Sequence, residues 1–363
     1  MANQNIGTPR FYTDQISYLM SRGVAQDGNF DVTATHAGNT FMGTFTTGSE
    51  PELFDMRPLN KCTFDTSADT DGHVLITIDT QSATLKKSYI AILNHNLVSA
   101  VGKIRIFAGD AASDVTAIDG ANADTADITW ANDTVTDVVN GDTTTAASND
   151  KSVVIEPGTD GSTIIKFAEQ TNRYWGIQFE GNTTNTGVAT NGTWGSTDLF
   201  VGCIMIGEYY EMPHAPDMNI TRMISYNRMN DLQESHGGQR FSNLKSFGRT
   251  AGSTSKSPFT TASNGYESQG GRLIYDMNFS FLDSSDLMPD EYDIIAADDN
   301  FVDDVWNMTN GNHIPFIFSI DKSSEGDNAE SEHIFARFAN NSLDMTQAAP
   351  SVFNIKLTVE EEF

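Results

Sequence analysis

Positive charge, cysteine and long helix-forming runs are all scarce in this sequence, and each shortage excludes something. Against 49 aspartates and glutamates stand 21 lysines and arginines, a formal net charge of −28 over 363 residues. Such a chain repels a phosphate backbone at long range, so no nucleic-acid partner is expected. The two cysteines, Cys62 and Cys203, lie far apart and make no disulfide framework. They read as buried thiols of a protein that folds in a reducing cytoplasm, with a single bridge as the alternative. The seven histidines (His36, His73, His95, His214, His236, His313 and His333) are scattered and form no His-x-His or His-Glu-x-x-His pattern. With so few cysteines, no zinc site is expected. No stretch approaches the ~18 consecutive apolar residues of a membrane helix. The first ten residues lack the basic-then-apolar order of a signal peptide. No membrane partner is therefore expected. Gly-x-x-x-x-Gly-Lys-Ser/Thr and Gly-x-Ser-x-Gly are absent, and no Gly-x-Gly-x-x-Gly lies between a strand and a helix. The chain is read as a non-enzyme, with no catalytic residue and no cofactor.

What is abundant is turn chemistry: Gly, Ser, Thr, Asn and Asp between short branched or aromatic runs. Val74–Ile78 alternates, Tyr89–Leu93 is apolar throughout, and Lys103–Phe107 alternates polar with apolar, which predicts one wet face. Further strands are expected at 152–155, 162–167, 174–179 and 199–206. Strands at this spacing without intervening helices predict a β-sandwich over 50–213. Within it, residues 110–160 carry eleven acidic residues and one basic one, Lys151, and read as a solvated insertion. Residues 1–49 read as an N-terminal arm that packs on a neighbouring domain or subunit. Pro213 and Pro216 mark a boundary, after which 214–363 form a second β-sandwich or barrel domain with one helix near 290–308. Ile294, Ile295, Phe301, Val302, Val305 and Trp306 approximate that helix's apolar stripe. The fold class is all-β.

Candidate sites are few. Asp65, Asp69 and Asp71 precede Gly72 at a spacing that could wrap calcium, although the closing Glu of a twelve-residue loop is missing. A tight surface turn is the plainer reading, so no metal is assigned. Asn94-His95-Asn96 directly follows a buried strand, where such side chains usually bond loop backbone. Trp130, Trp175 and Trp194 could stack on a sugar, against the plainer reading of aromatic core. Paired carboxylates for glycoside hydrolysis would need a cleft, and the acids cluster in loops. Arg240, Lys245, Arg249 and Lys256 form a basic loop, and Asp298, Asp299, Asp303 and Asp304 lie on the acidic helix. Their opposite signs predict contacts, within a subunit or between copies, that weaken in salt.

Three stretches together resemble structural proteins of tailed bacteriophages. Tyr89-Ile90-Ala91-Ile92-Leu93-Asn94-His95-Asn96-Leu97 is followed by Lys103-Ile104-Arg105-Ile106. Arg173-Tyr174-Trp175-Gly176-Ile177 leads to Phe200 through Glu208. That order is similar to the discoidin-like jelly-roll module of phage tail and baseplate proteins. The strands Pro315–Phe318, Ala336–Phe338 and Phe353–Glu361 resemble the closing strands of distal-tail barrels. About 250 residues share the pattern, without a single diagnostic motif, and neither 1–49 nor 110–160 is covered by it. The resemblance implies a virion (tail) location after synthesis in the host bacterial cytoplasm. It also implies a ring-like homo-oligomer, contacts with other virion proteins and no catalytic residues. A capsid decoration protein and a carbohydrate-binding adhesin for host recognition are the alternatives.

Overall fold

Tyr89 to Leu93 is apolar at every position, and a strand built so is stable only with both faces covered. The computed structural model bears this out. It describes residues 6–33, 35–36, 39–40, 44–68, 73–116, 135–143, 153–181, 193–225, 232–242, 259, 272–289, 299–323 and 332–362. The strands in its first part are β1 (Arg10–Tyr12), β2 (Phe30–Thr33), β3 (Thr35–His36), β4 (Asn39–Thr40), β5 (Phe45–Thr47), β6 (Cys62–Phe64), β7 (Val74–Asp79), β8 (Lys87–His95) and β9 (Gly102–Gly109). There follow β10 (Val135–Val139), β11 (Gly141–Thr143), β12 (Val153–Pro157), β13 (Gly161–Gln170), β14 (Tyr174–Gly181), β15 (Phe200–Val201), β16 (Cys203–Gly207) and β17 (Tyr209–Glu211). The last are β18 (Thr221–Ser225), β19 (Leu232–Glu234), β20 (Arg240–Ser242), β21 (Arg272–Asp283), β22 (Phe316–Ser319), β23 (His333–Phe338), β24 (Met345–Ala349) and β25 (Val352–Glu361). Helices are few and short, and α1 (Gln15–Ser21) is the longest α-helix among the described residues.

Three sheets stack. A six-stranded sheet runs β11-β12-β9-β14-β7-β2 and a four-stranded sheet runs β10-β13-β8-β16. Between them lie Ile76, Ile106 and Ile177 from the first, with Ile90, Ile165 and Ile204 from the second, all buried. The alternate residues Tyr89, Ala91, Leu93, Cys203 and Met205 belong to another buried cluster that also contains Tyr12, Ile317 and Phe335. That cluster joins the four-stranded sheet to the third sheet, whose order is β17-β1-β22-β23-β25-β21-β18, with β24 paired to β25. The far face of the third sheet holds Phe11, Phe318, Met277 and Leu357 under Phe301 and Val305. Period-two alternation thus fixes which residues serve which layer.

Residues 10–12 pair with Tyr209–Glu211 on one side and with Ile317–Ser319 on the other. Residues 30–33 close the opposite end of the molecule as the edge of the six-stranded sheet. The N-terminal segment therefore supplies strands to both the third sheet and the six-stranded sheet. Between its strands, Asp14 caps α1: its carboxylate accepts the Ser17 N–H at 2.8 Å and the Ile206 N–H at 3.3 Å.

Two expectations are corrected. The face of β9 carrying Lys103 and Arg105 is not wet, since both side chains are buried. The Arg105 guanidinium meets Glu180 in a bidentate pair, both bonds 3.2 Å long. Of the helix expected near 290–308, the described part is wider than an α-helix and is not continued back through Asp299 and Asn300, which are not helical. Helical backbone starts at Phe301 and runs as a π-helical turn over Val302–Asn307, while residues 290–298 lie outside the described residues. Its start is capped from both directions: Asn300 Oδ1 accepts the Asp303 N–H at 2.9 Å, and Asp304 Oδ2 accepts the Asn300 N–H at 2.8 Å.

Gly176 sits opposite Phe107 in the β14–β9 register, and a Cβ added there would lie 2.1 Å from the Phe107 ring. Gly176→Val should therefore lower stability by about 1–3 kcal/mol through overpacking, read as a lower urea midpoint. A midpoint equal to wild type would show that the ring can move aside.

Candidate functional site

The sequence-derived candidates separate cleanly. Trp175 is fully buried, stacks on Phe167 at 5.3 Å and donates its Nε1–H to Asn172 O. Trp194 is 3% exposed. Neither offers an open ring face to a sugar, because both are spent on the core between the sheets. Trp130 lies outside the described residues, as do Asp69 and Asp71 of the calcium candidate. Asp65 is half-buried and its N–H donates to Thr44 O.

The Asn94-His95-Asn96 corner does what its position suggests. Asn94 Nδ2 donates to Pro58 O, and Asn96 Nδ2 donates to Asp198 O at 2.8 Å, while Asn96 Oδ1 accepts the Phe200 N–H. His95 pairs through Nε2 with Thr163 Oγ1 and accepts the Leu97 N–H at Nδ1. Burial pushes its pKa down to about 4, so the ring is neutral at physiological pH. Cys62 and Cys203 are both free and buried.

Of the basic loop, Arg240 is described: it is exposed and pairs with Glu234 at 3.2 Å. Lys245, Arg249 and Lys256 lie outside the described residues, as does Asp298. The other three aspartates divide. Asp303 is turned inward, accepting from Asn300 Nδ2 and Asn307 Nδ2. Asp304 caps the helical turn, and Asp299 reaches Lys86 of the same chain.

That last contact leads to a cluster that no local pattern announces. Lys86 precedes β8, Glu169 is the last residue but one of β13, Glu208 links β16 to β17, and Asp299 and Asp304 flank the start of the helical turn. The Lys86 ammonium bonds Asp299 and stands 3.5 Å from Glu169. Oxygens of Glu169, Glu208 and Asp299 converge within 4.8 Å of one another. Burial opposes the charge of Lys86, yet the hydrogen bond and charge of Asp299 raise its pKa and keep it protonated. Glu208 is pushed up to about 8, first by burial and then by Asp304, against the pull of Lys86. Asp304 is pushed up to about 7, chiefly by burial. Four carboxylates around one ammonium thus form a protonation-sensitive seam between the four-stranded sheet and the helical turn over the third sheet. Its partners are separated by up to 218 positions, and the only local hint was a Lys-Lys pair in an acidic chain.

A different surface is exposed rather than clustered. Every residue of β24 and all but the last of β18 is exposed, and Met218, Met223, Ile224 and Phe281 present apolar side chains to solvent.

Comparison with known proteins returns nothing: no family model, no curated protein and no solved structure matches this chain.

Proposed function

We propose that the chain is a structural subunit of a bacteriophage tail or baseplate, assembling through contacts with its own copies and with other virion proteins. In this reading the six- and four-stranded sheets form the discoidin-like jelly roll, and the third sheet is the second, barrel-like unit. The carrying observation is the exposure of β18 and β24 along almost their whole length. A strand with neither face covered gains little from its own fold and much from a neighbour that pairs or packs on it. The corner at Asn94–Asn96, tied into the loops beside it, fits a module whose end is rigid. No catalytic role is assigned to any residue.

Particle fractionation tests the reading. The chain should stay with isolated tails after heads are removed, and averaged images should place it in a closed ring around a central opening. Recovery with tail-free capsids would sink the proposal in favour of a decoration protein.

A further inference from the structure

The charge of this chain is not spread evenly. Residues 218–275 hold seven of the 21 basic residues and three of the 49 acidic ones, a net of +4. The rest of the chain, with 14 basic and 46 acidic residues, carries −32. The positive stretch begins with β18, the last strand of the third sheet, whose one partner among the described residues is β21. Successive strand residues point to opposite faces, and here Met223 and Ile224 are 43% and 49% exposed, one on each side. Met218, just before, is completely exposed. Arg222 lies between these apolar groups, and no acidic residue occurs from Met218 to Asn230. A strand with one partner among the described residues, apolar on both faces and with no acidic residue of its own, is a template for association.

We infer that β18, with its Arg222, and the preceding Met218 dock on the acidic surface of a second copy of this chain. The inference rests on the reading of the chain as an assembling subunit and names the surface and the partner. Charge selects the occupant. Two molecules of net −28 repel each other in most orientations, and a contact made through β18, which holds Arg222 and no acidic residue, against the acidic remainder of the other copy escapes this best. An anionic polysaccharide or nucleic-acid backbone would meet the same positive charge but brings no apolar side chains to set against Met218, Met223 and Ile224. The apolar residues on both faces of β18 then supply burial that charge alone does not.

The full-length protein and the double variant Arg222→Glu with Ile224→Asn should be compared by sedimentation across a range of salt concentrations. Both substitutions fall on an exposed edge, so unchanged circular dichroism and thermal midpoint are expected. Wild type should self-associate at low salt and progressively less as salt rises. The variant should associate about tenfold or more weakly at low salt. If wild type and variant associate equally, this surface is not the contact, while the assembling-subunit reading stands. If wild type is monomeric at every salt concentration, docking between copies is overturned, and tail fractionation decides the function on its own. If heparin or duplex DNA binds wild type and not the variant while self-association is equal in both, the occupant is a polyanion and the inference fails.

Discussion

Glu180→Ala should destabilise the protein by about 3–5 kcal/mol, because it strips a buried guanidinium of its carboxylate. Arg105 and Glu180 are each 2% exposed at the side chain. They are locked by two bonds of 3.2 Å, and Gln178 Nε2 adds a third donor to Glu180 Oε2 at 3.3 Å. In the β14–β9 register Gln178 lies opposite Arg105 and Glu180 opposite Lys103, so the pair spans a diagonal of the sheet. Without Glu180, Arg105 loses both bonds of its bidentate pair while its charge stays in a site 2% exposed. Replacing both partners tells a different story. Arg105→Met with Glu180→Leu removes charge and desolvation cost together and should fall much closer to wild type. Urea unfolding with an unchanged slope measures both. A single variant within about 0.5 kcal/mol of wild type would mean that the pair is solvated in practice and that burial of this face is not what holds it.

The same pair shows where sequence patterns stop being informative. The alternation Lys103-Ile104-Arg105-Ile106 correctly separates two faces, and Ile104 and Ile106 do enter the core. Alternation cannot say what covers the polar face, and here both cations are buried. The run Tyr89–Leu93 was more legible: five apolar residues in a strand require cover on both sides, and β8 is the middle layer of three sheets. Trp175 was legible as core for a similar reason, since its neighbours Ile177 and Phe179 share its face. The strand at Arg10–Tyr12 was not legible. Three residues carry no periodicity, and the partners that make them a strand lie about 200 and 300 positions away. The cluster around Lys86 was hidden in the same way. Its carboxylates come from three separate places in the chain, β13, the β16–β17 link and the helical turn, and only the stacking of the sheets brings them to Lys86.

That cluster should make stability depend on pH in a way one substitution can isolate. Glu208 and Asp304 have folded-state pKa values of about 8 and about 7, above their ordinary range. Between the unfolded and folded values the native state holds protons that the unfolded chain has released, so stability falls as pH rises through that window. It is fully present below about pH 4, is lost progressively and stays lost above about pH 8. Each group contributes about 1 kcal/mol per pH unit inside its window, less where solvent reaches the carboxyl. Asp14, pushed up to about 6 by burial, adds the same sign at lower pH. His95 and Lys87, held by burial at about 4 and about 7, act in the opposite direction. The total profile therefore mixes signs, and the informative quantity is the difference between wild type and Glu208→Gln. The amide keeps the shape of the protonated acid and cannot ionise. The variant should match wild type near about pH 5 and be more stable by about 2 kcal/mol or more near about pH 8.5. With Glu208 neutral, the Lys86 ammonium serves Asp299, Glu169 and Asp304 without a fourth competitor. Thermal midpoints at the two pH values decide the matter. Parallel profiles for the two proteins would show that Glu208 ionises at an ordinary pKa and that the seam is open to water.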